Sequence, residues 1–229
     1  TEKAGSRLLA EARLMARVTN PRVVRAVDAG LTLARVPFIV QEYVDGLDLA
    51  ELDRRRRRNL GVGLPLWFVC FAMAEICDGL HAAHQAGVLH RDLKPSNIFG
   101  SPESGFRLGD FGIAVARDEE VREASGTMKF MAPEQFRGEK LDRRADVYGA
   151  GATACDLRYG RAPFAFVDEV LDPDKIPTLP EPASAEEAYF QHTLHQMLAK
   201  SPDDRPATAA EAGRHFRSLA NALMPHLVA

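Results

Sequence analysis

Hydrophobic positions recur along the N-terminal part of the chain with the periods of a helix and of strands. Residues 6–18 carry apolar side chains at helical spacing, which predicts a helix that ends at Asn20-Pro21. The stretches 23–33 and 37–44 predict two strands, the second a dense apolar and aromatic run, with a turn near Asp28-Gly30. A helix followed by a hairpin is therefore expected to open the chain.

Helical patterns dominate the rest of the chain. Residues 47–58 predict one helix, and residues 66–86 predict a long one that ends at Gly87, where a left-handed backbone would stop it. Residues 145–157 are apolar on almost every side. This last stretch predicts a buried central helix.

Capping signals and prolines complete the pattern. Ser-Ala-Glu-Glu at 184–187 and Thr-Ala-Ala-Glu at 208–211 each contain the S/T-x-x-E capping box, and they predict two more helix starts. Residues 88–134 predict short strands and loops, and residues 163–182 hold five prolines, which favours an irregular connection. A small part with strands followed by a mainly helical part predicts an α+β fold in two lobes.

The composition is that of a soluble globular protein, since 46% of the 229 residues are apolar and 27% are charged. The net charge of -3 does not favour binding to nucleic acids or membranes. Cys70, Cys77 and Cys155 fit neither a disulfide framework nor a metal site, and the longest apolar run, 64–74, is too short to span a bilayer. We therefore expect a cytoplasmic location, as a free protein or as the cytosolic part of a membrane-anchored one.

One region of the chain contains residues that could take part in a chemical reaction. It reads His90-Arg91-Asp92-Leu93-Lys94-Pro95-Ser96-Asn97, and it is followed by Asp110-Phe111-Gly112, Gly126-Thr127 and Ala132-Pro133-Glu134. In this order the elements resemble the protein kinase family, whose signatures include H-R-D-L-x-x-x-N, D-F-G and A-P-E. The chain is identified as a eukaryotic-type (Hanks-type) serine/threonine protein kinase domain.

The resemblance implies the two-lobe protein kinase fold. It assigns residues 1–44 to a truncated small N-lobe with a helix, two strands and a hinge, and residues 45–229 to a mainly helical C-lobe. No G-x-G-x-x-G and no lysine strand precede the first helix, so the first part of a full kinase domain is not matched. Either the chain is truncated, or it has an N-terminal segment that the residue numbers do not count. We expect the chain as given to bind ATP poorly, because nothing in it covers the phosphates.

Phosphoryl transfer depends mainly on positioning and charge neutralisation, so a carboxylate, a cation and hard oxygen ligands are expected. By resemblance, Asp92 is the catalytic base that accepts the proton of the substrate hydroxyl, and Lys94 stabilises charge on the transferred phosphoryl group. Asn97 and Asp110 match the family's ligands of Mg²⁺. The pairing of Asp92 with Lys94 is the form that the family uses for serine and threonine substrates.

The adenine pocket of ATP is located by the same resemblance. Gln41 matches the gatekeeper, the backbone groups of Glu42 and Val44 are expected to bind adenine, and Phe99 is expected to form the pocket floor. A position in the plain core is the alternative for Phe99. Asp48 is expected either to reach the ribose or to serve the start of the following helix.

Other matches imply structural roles. Asp146 opens an otherwise apolar helix, where a buried acid is costly unless it accepts backbone N–H bonds, and in the family the matching residue braces the catalytic loop. Glu134 and Arg205 match a buried ion pair that anchors the substrate-binding segment. His90 and Phe111 match a stacked apolar spine, in which His90 is structural.

A carboxylate lies on the apolar face of the first predicted helix. Glu11 follows Leu8 by three residues and precedes Met15 by four, so the three residues share one face. An unpaired buried carboxylate is costly, so a cationic partner is expected. In the family such a glutamate pairs with a strand lysine that grips the ATP phosphates. A solvated position is the alternative for Glu11.

Control by phosphorylation is expected to be weak. Arg91 precedes the proposed base, and related kinases often pair this arginine with a phosphate in the activation loop. Between Asp110 and Glu134 only Ser125 and Thr127 carry hydroxyls. Thr127 matches a residue that bonds to the catalytic loop, which leaves Ser125 as the candidate phosphosite. The alternative is that Glu119, Glu120 and Glu123 supply a permanent negative charge.

Two other functions share part of this pattern. A pseudokinase or scaffold module would keep the fold without the chemistry, although Asp92, Lys94, Asn97 and Asp110 are all present. A small-molecule kinase would lack the Ala-Pro-Glu element. The expected partners are ATP and a protein with serine or threonine, without nucleic acid, and the oligomeric state stays open. The arginine run 54–58 favours a solvated helix face over a phosphate or acidic-partner site.

Overall fold

The structure is a computed structural model that describes residues 15–34, 36–111 and 128–224. Within these ranges the strands are β1 (Ala26–Leu31), β2 (Pro37–Gln41), β3 (Leu47–Asp48), β4 (Ile98–Ser101) and β5 (Gly105–Leu108). The α-helices are α1 (Leu49–Leu60), α2 (Leu66–Gln85), α3 (Pro133–Phe136), α4 (Arg143–Tyr159), α5 (Val167–Leu171), α6 (Ala185–Met197) and α7 (Ala209–Leu223). Short 3-10 helices cover Pro95–Asn97, Met128–Phe130 and Pro202–Asp204. Small sheets and many helices confirm the predicted α+β class.

β1 and β2 form an antiparallel hairpin whose turn differs from the prediction. Gly30 pairs with Phe38 inside the ladder, and the chain reverses beyond it, where the N–H of Thr32 donates to the carbonyl of Val36 at 2.9 Å. The predicted turn at Asp28-Gly30 is therefore wrong. An added Cβ on Gly30 would lie 2.9 Å from the Phe38 ring, so the glycine serves a cross-strand contact.

The second sheet joins the segment after β2 to the middle of the chain. β3 pairs with β4 and β4 pairs with β5, both antiparallel, so that Asp48 lies opposite Phe99. The N–H of Val24 donates to the carbonyl of Leu108, and the N–H of Leu108 donates to the carbonyl of Arg22, both at 2.8 Å. These bonds attach the segment before β1 to the end of β5.

α2 is the central helix of the core, and it packs against α7, α4 and β5. It ends as predicted at Gly87, which has φ +78°. The N–H groups of Gly87 and Val88 donate to the carbonyls of His84 and Ala83, at 3.0 and 2.9 Å. Among the described residues α2 alone is long and apolar enough to cross a membrane, with mean hydropathy 1.4, but 67% of this stretch is buried inside the protein. Its apolar character therefore serves the core.

The predicted buried helix is α4, which packs against α2, α6 and α7. It begins after Asp142, whose side chain accepts the N–H of Arg144 at 2.8 Å, and it ends at Gly160 with φ +71°. The stretch 163–182, predicted to be irregular, contains the five-residue helix α5.

Both predicted capping signals open helices. Ser184 accepts the N–H of Glu187 at the start of α6, and Thr208 accepts the N–H of Glu211 at the start of α7, each at 3.2 Å. The carboxylate of Glu187 does not complete a capping box, because it binds Arg158 at 2.6 Å. At α7 the carboxylate of Glu211 accepts the N–H of Ala207 at 3.0 Å, so the hydroxyl cap is the contact that both helix starts share.

Candidate active site

The predicted metal ligands lie on two neighbouring loops at the ends of the β4–β5 hairpin. Pro95–Asn97 forms a short turn of 3-10 helix that begins with proline, whose fixed φ suits a first helical position. The N–H of Gly109 donates to the carbonyl of Asn97 at 3.0 Å. Asn97 therefore lies beside the segment that leads into Asp110.

Asn97 brings the predicted catalytic residues together. Its amide Nδ2 donates to the Asp92 carbonyl at 2.7 Å, and it lies 3.3 Å from Asp92 Oδ2 and 3.5 Å from the Asp110 carbonyl. Lys94 Nζ lies 3.1 Å from the same Asp92 carboxylate oxygen. Because these contacts use the amide nitrogen, Asn97 Oδ1, which receives only a 3.5 Å contact from Ser96 Oγ among the described residues, is the atom left to bind a cation.

The two predicted catalytic carboxylates have different environments. Asp92 is partly buried, and its Oδ1 is shielded from solvent without a hydrogen-bond partner among the described residues. Asp110 is exposed, and its φ of +49° lies in the left-handed region. Such a backbone costs a non-glycine residue about 1–3 kcal/mol and is typical of functional sites.

His90 ties the catalytic loop to the segment before Asp110. Its ring is fully buried and stacks on Phe111, with ring centroids 4.5 Å apart. Nδ1 accepts the N–H of Asp92 at 3.2 Å, so Nε2 holds the proton and donates to the Gly109 carbonyl at 3.0 Å. Burial lowers the pKa of His90 below its ordinary value. A neutral ring is the form that both contacts require.

Asp146, in the first turn of α4, holds the backbone of the same loop. Its Oδ2 accepts the N–H of His90 at 2.8 Å, and its Oδ1 accepts the N–H of Arg91 at 2.7 Å. Arg91 has φ +65°, and its carbonyl accepts a hydrogen bond from Gln135 at 3.0 Å. Burial by itself raises the pKa of Asp146, but the bonds from His84 and the backbone outweigh burial, so the pKa lies below its ordinary value. The charged carboxylate therefore braces the loop.

His84 is a member of this cluster that no sequence pattern revealed. Its Nε2 lies 2.8 Å from Asp146 Oδ2, and both side chains are 2% exposed. The two residues are 62 positions apart. The acid on an apolar helix is the signal that could have prompted a search for such a partner.

The predicted ion pair between Glu134 and Arg205 is present. Arg205 Nη1 and Nη2 lie 2.6 and 2.9 Å from the two Glu134 oxygens, and the side chains are 0% and 5% exposed for arginine and glutamate. The guanidinium also donates to the carbonyls of Ala199, Arg144 and Lys200, at 2.8 to 3.0 Å. The pair attaches α3 to the start of α4 and to the segment between α6 and α7.

The segment predicted to bind adenine follows β2. Gln41 is the last residue of that strand. The N–H of Glu42 donates to the carbonyl of Arg25 at 3.0 Å, and its carboxylate binds the N–H of Arg25 at 2.8 Å and the Arg107 side chain at 2.9 Å. The Glu42 N–H is therefore engaged, which leaves its carbonyl as the backbone group available to adenine, and the predicted role of Glu42 stays a prediction. Val44 makes no backbone hydrogen bond to any other described residue.

Phe99 and Asp48 lie opposite each other on β4 and β3. The Phe99 ring packs on Gly109, where an added Cβ would lie 2.7 Å from the ring and 3.2 Å from Val24. Asp48 caps α1, since its Oδ1 accepts the N–H of Glu51 at 2.9 Å. Of the two roles expected for Asp48 the structure shows the capping role, and the ribose role stays a prediction.

Part of the predicted site lies outside the described residues. This holds for Glu11, Gly112, Ser125 and Thr127, and their roles stay predictions. Met15 is described, and it is 1% exposed within the core.

The arginine run on α1 is engaged mainly within its own helix. Arg54 and Arg55 pair with Glu51, and Arg57 pairs with Asp53 at 2.7 Å. These contacts fit the solvated helix face that the sequence favours.

Comparison with known proteins identifies the family. A family model described as the protein kinase domain matches residues 1–216. The serine/threonine-protein kinase Pkn1 of Myxococcus xanthus is 34% identical over 220 residues, which cover 89% of this chain and 30% of the relative. The serine/threonine-protein kinase PknB of Mycobacterium leprae is 32% identical over 218 residues, which cover 88% of this chain and 34% of the relative. The chain belongs to the protein kinase domain family, and it spans about a third of the length of these curated relatives.

Solved structures agree with this family. The crystal structure of the PknI kinase domain of Mycobacterium tuberculosis matches with a TM-score of 0.74 at 27% identity, and the match covers 96% of this chain and 80% of that chain. The predicted kinase-like fold is therefore confirmed. The division into lobes at residues 44 and 45 stays a prediction.

Proposed function

We propose that this chain is the catalytic domain of a serine/threonine protein kinase, which transfers the γ-phosphoryl group of ATP to a protein hydroxyl. The observation behind this proposal is the set of contacts of Asn97 with Asp92 and with the backbone of Asp110. They gather a carboxylate, a cation and two oxygen ligands on adjacent loops. The family match and the names of the curated relatives support the same activity.

A divalent cation fits the donor set of this site. Mg²⁺ prefers hard oxygen ligands, and it is usually held by one or two carboxylates together with the phosphates of a nucleotide. Asn97 Oδ1 and the exposed carboxylate of Asp110 are such donors. We assign these two side chains to Mg²⁺, which when bound would neutralise phosphate charge.

Asp92 is the group proposed to accept the proton of the substrate hydroxyl. Its Oδ2 lies beside Lys94 and Asn97, and the side chain is 21% exposed, which leaves surface that a substrate hydroxyl can approach. Lys94 lies beside the carboxylate, where its charge would stabilise the transferred phosphoryl group. His90 is unsuited to the role of base, because its ring is buried and both of its nitrogens are engaged.

The nucleotide is proposed to bind against the segment after β2. The carbonyl of Glu42 and the backbone of Val44 would contact adenine, with Gln41 at the back of the pocket and Phe99 as its floor. The pairing of Asp48 with Phe99 supports this arrangement, because it sets the end of the segment beside the proposed floor.

Substrate class and location are further parts of this proposal. The contact of Asp92 with Lys94 at 3.1 Å is the pairing found in kinases for serine and threonine, and the curated relatives have that name. A cytoplasmic location is supported by three buried free thiols, whose pKa burial raises to about 12. These thiols are Cys70, Cys77 and Cys155.

The test is Asp92→Asn in the full-length protein, assayed with ATP and a generic basic protein. Transfer should fall by about 10²–10⁴-fold, because the amide cannot accept a proton, while calorimetry should still detect nucleotide binding. Asp28→Asn is the matched control, since Asp28 is exposed on β1 and asparagine can keep its contact with the N–H of Ala29.

The products separate the alternatives. Phosphoserine or phosphothreonine is expected, and phosphotyrosine would contradict the substrate class. A wild-type protein that binds ATP without any transfer would be a pseudokinase. Undiminished turnover of Asp92→Asn would exclude Asp92 from the role of base.

A further inference from the structure

A buried carboxylate that the proposed mechanism does not use lies on α2. Glu75 is 7% exposed on this mostly apolar helix. Its Oε1 forms an ion pair with Arg22, and its Oε2 accepts the N–H of Phe106 at 2.9 Å. Arg22 Nη1 also donates to the carbonyl of Ser104 at 3.0 Å. The two side chains therefore hold the tip of the β4–β5 hairpin.

Arg22 also contacts the other end of the hairpin through its backbone. Its carbonyl accepts the N–H of Leu108 at 2.8 Å, and its N–H donates to Asn20 Oδ1 at 2.8 Å. The segment runs so close to α2 that an added Cβ on Gly79 would lie 2.7 Å from the carbonyl oxygen of Arg22. One residue thus joins α2, the hairpin tip and the end of β5.

Gly105 shows how closely the tip fits this ion pair. It has φ +69°, and an added Cβ would lie 2.5 Å from Arg22 Nη1 and 2.8 Å from Glu75 Oε2. Both the backbone conformation and the ion pair therefore exclude a side chain at this position.

The hairpin has the two proposed metal ligands at its ends. Asn97 directly precedes β4, Asp110 follows β5 after one glycine, and the ladder pairs Ile98 with Leu108 between them. Strands of four residues joined by a ladder move together. We therefore expect a displacement at the tip to reach both ends of the hairpin.

We propose that Arg22 and Glu75 are positioning residues for the metal site: by clamping the hairpin to α2, they hold Asn97 and Asp110 in the arrangement that Mg²⁺ and ATP require. The inference rests on the proposed function of the same site. A purely structural clamp would stabilise the fold without affecting the metal.

The variants Glu75→Gln and Arg22→Met test this clamp in the full-length protein. Glutamine can keep the contact with the N–H of Phe106 but loses the charge that faces Arg22. Calorimetry would follow binding of a non-hydrolysable ATP analogue as Mg²⁺ is titrated. The Mg²⁺ concentration at half-saturation should rise about tenfold, at the lower end of the effect of outer partners of a metal site. The KM for the protein substrate should stay unchanged, and Arg22→Lys should recover most of the wild-type Mg²⁺ dependence.

Arg217→Met is the matched control. Arg217 forms an ion pair with Asp78 on the same helix at 2.5 Å, but α2 is there joined to α7 rather than to the hairpin. Its Mg²⁺ dependence should equal that of the wild type.

Two results would overturn the inference. One is a half-saturating Mg²⁺ concentration within twofold of wild type in Glu75→Gln and Arg22→Met, even if both melt at lower temperature. The other is an equal rise in Arg217→Met. If Arg22→Met does not fold, Glu75→Gln and Arg22→Lys decide the question. Failure of the proposed function would instead appear in the wild type, as nucleotide binding without transfer.

Discussion

Replacement of Arg205 by methionine removes the cation of a deeply buried ion pair. The guanidinium has no exposed surface, and it makes two contacts with Glu134 and three with backbone carbonyls. Methionine fills part of the same volume but donates no hydrogen bond. The variant therefore isolates the loss of charge and of donors from the loss of packing.

The expected cost follows from what the substitution leaves behind. Glu134 is only 5% exposed, so its carboxylate would remain buried without its cation. Removing one partner of a buried pair typically costs about 3–5 kcal/mol. For a chain of this size 1 kcal/mol corresponds to about 2–4 °C, so the melting temperature should fall by roughly 10 °C. Substrate transfer should weaken as well, because the pair anchors α3 beside the 3-10 helix Met128–Phe130.

Urea and thermal unfolding followed by circular dichroism would measure this cost. The double variant Arg205→Met with Glu134→Leu removes both charges, so it should be less destabilised than the sum of the two single variants. Asp203→Asn is the control, because it breaks the pair of Arg144 with an aspartate that is 86% exposed, and such surface pairs contribute little. The reasoning is refuted if Arg205→Met melts no lower than Asp203→Asn, or if the double variant costs the full sum.

The burial of His90 and the packing of Phe99 on Gly109 each predict a change in stability. Burial lowers the pKa of His90, so below about pH 6.5 the unfolded chain binds a proton that the folded chain does not, and the free energy of unfolding should fall from pH 7 to pH 5.5. Urea midpoints across this range check the slope, and His90→Phe should reduce it; an equal slope in the variant would contradict the assignment. Gly109→Ala would set a Cβ 2.7 Å from the Phe99 ring. We expect a loss of about 1–3 kcal/mol of stability together with weaker nucleotide binding. An unchanged nucleotide affinity, measured by calorimetry, would exclude Phe99 as the pocket floor.

Helix boundaries were predictable because their signals are local. The hydroxyls of Ser184 and Thr208 bind N–H groups three residues later, and Gly87 takes the left-handed backbone that ends α2. Each of these contacts lies within about one turn of the residue that makes it. Both partners of each contact therefore lie within one short stretch of the sequence.

The turn predicted at Asp28-Gly30 failed because the deciding contact is not local. Asp28 satisfies its side chain on the neighbouring N–H of Ala29 at 2.8 Å, and Gly30 lies under the ring of Phe38 on the opposite strand. Residues typical of a turn thus occur inside a strand. Cross-strand packing, which composition does not reveal, decides their conformation.

The same distinction divides the candidate site. Resemblance to a family pointed to Asp92 and Asn97 because they lie in one contiguous motif. It pointed to Asp146 because this residue is an acid on an otherwise apolar helix. It did not point to His84 or Glu75, whose partners lie far away in sequence. For these two the signal was a polar group within an apolar helix, which indicates a partner but does not identify it.

The two unforeseen groups share one structural role. His84 and Glu75 both project from α2, and they reach the proposed site by different routes, His84 through Asp146 to the catalytic loop and Glu75 through Arg22 to the β4–β5 hairpin. The loops that bear the chemistry have short regular structure and two strained residues, Arg91 and Asp110. Backbone strain persists only where the surrounding structure holds it, and the contacts of His84 and Glu75 reach these loops from a core helix. The buried position of His84 and Glu75 on α2 therefore helps the fold to keep a strained backbone in its catalytic loops.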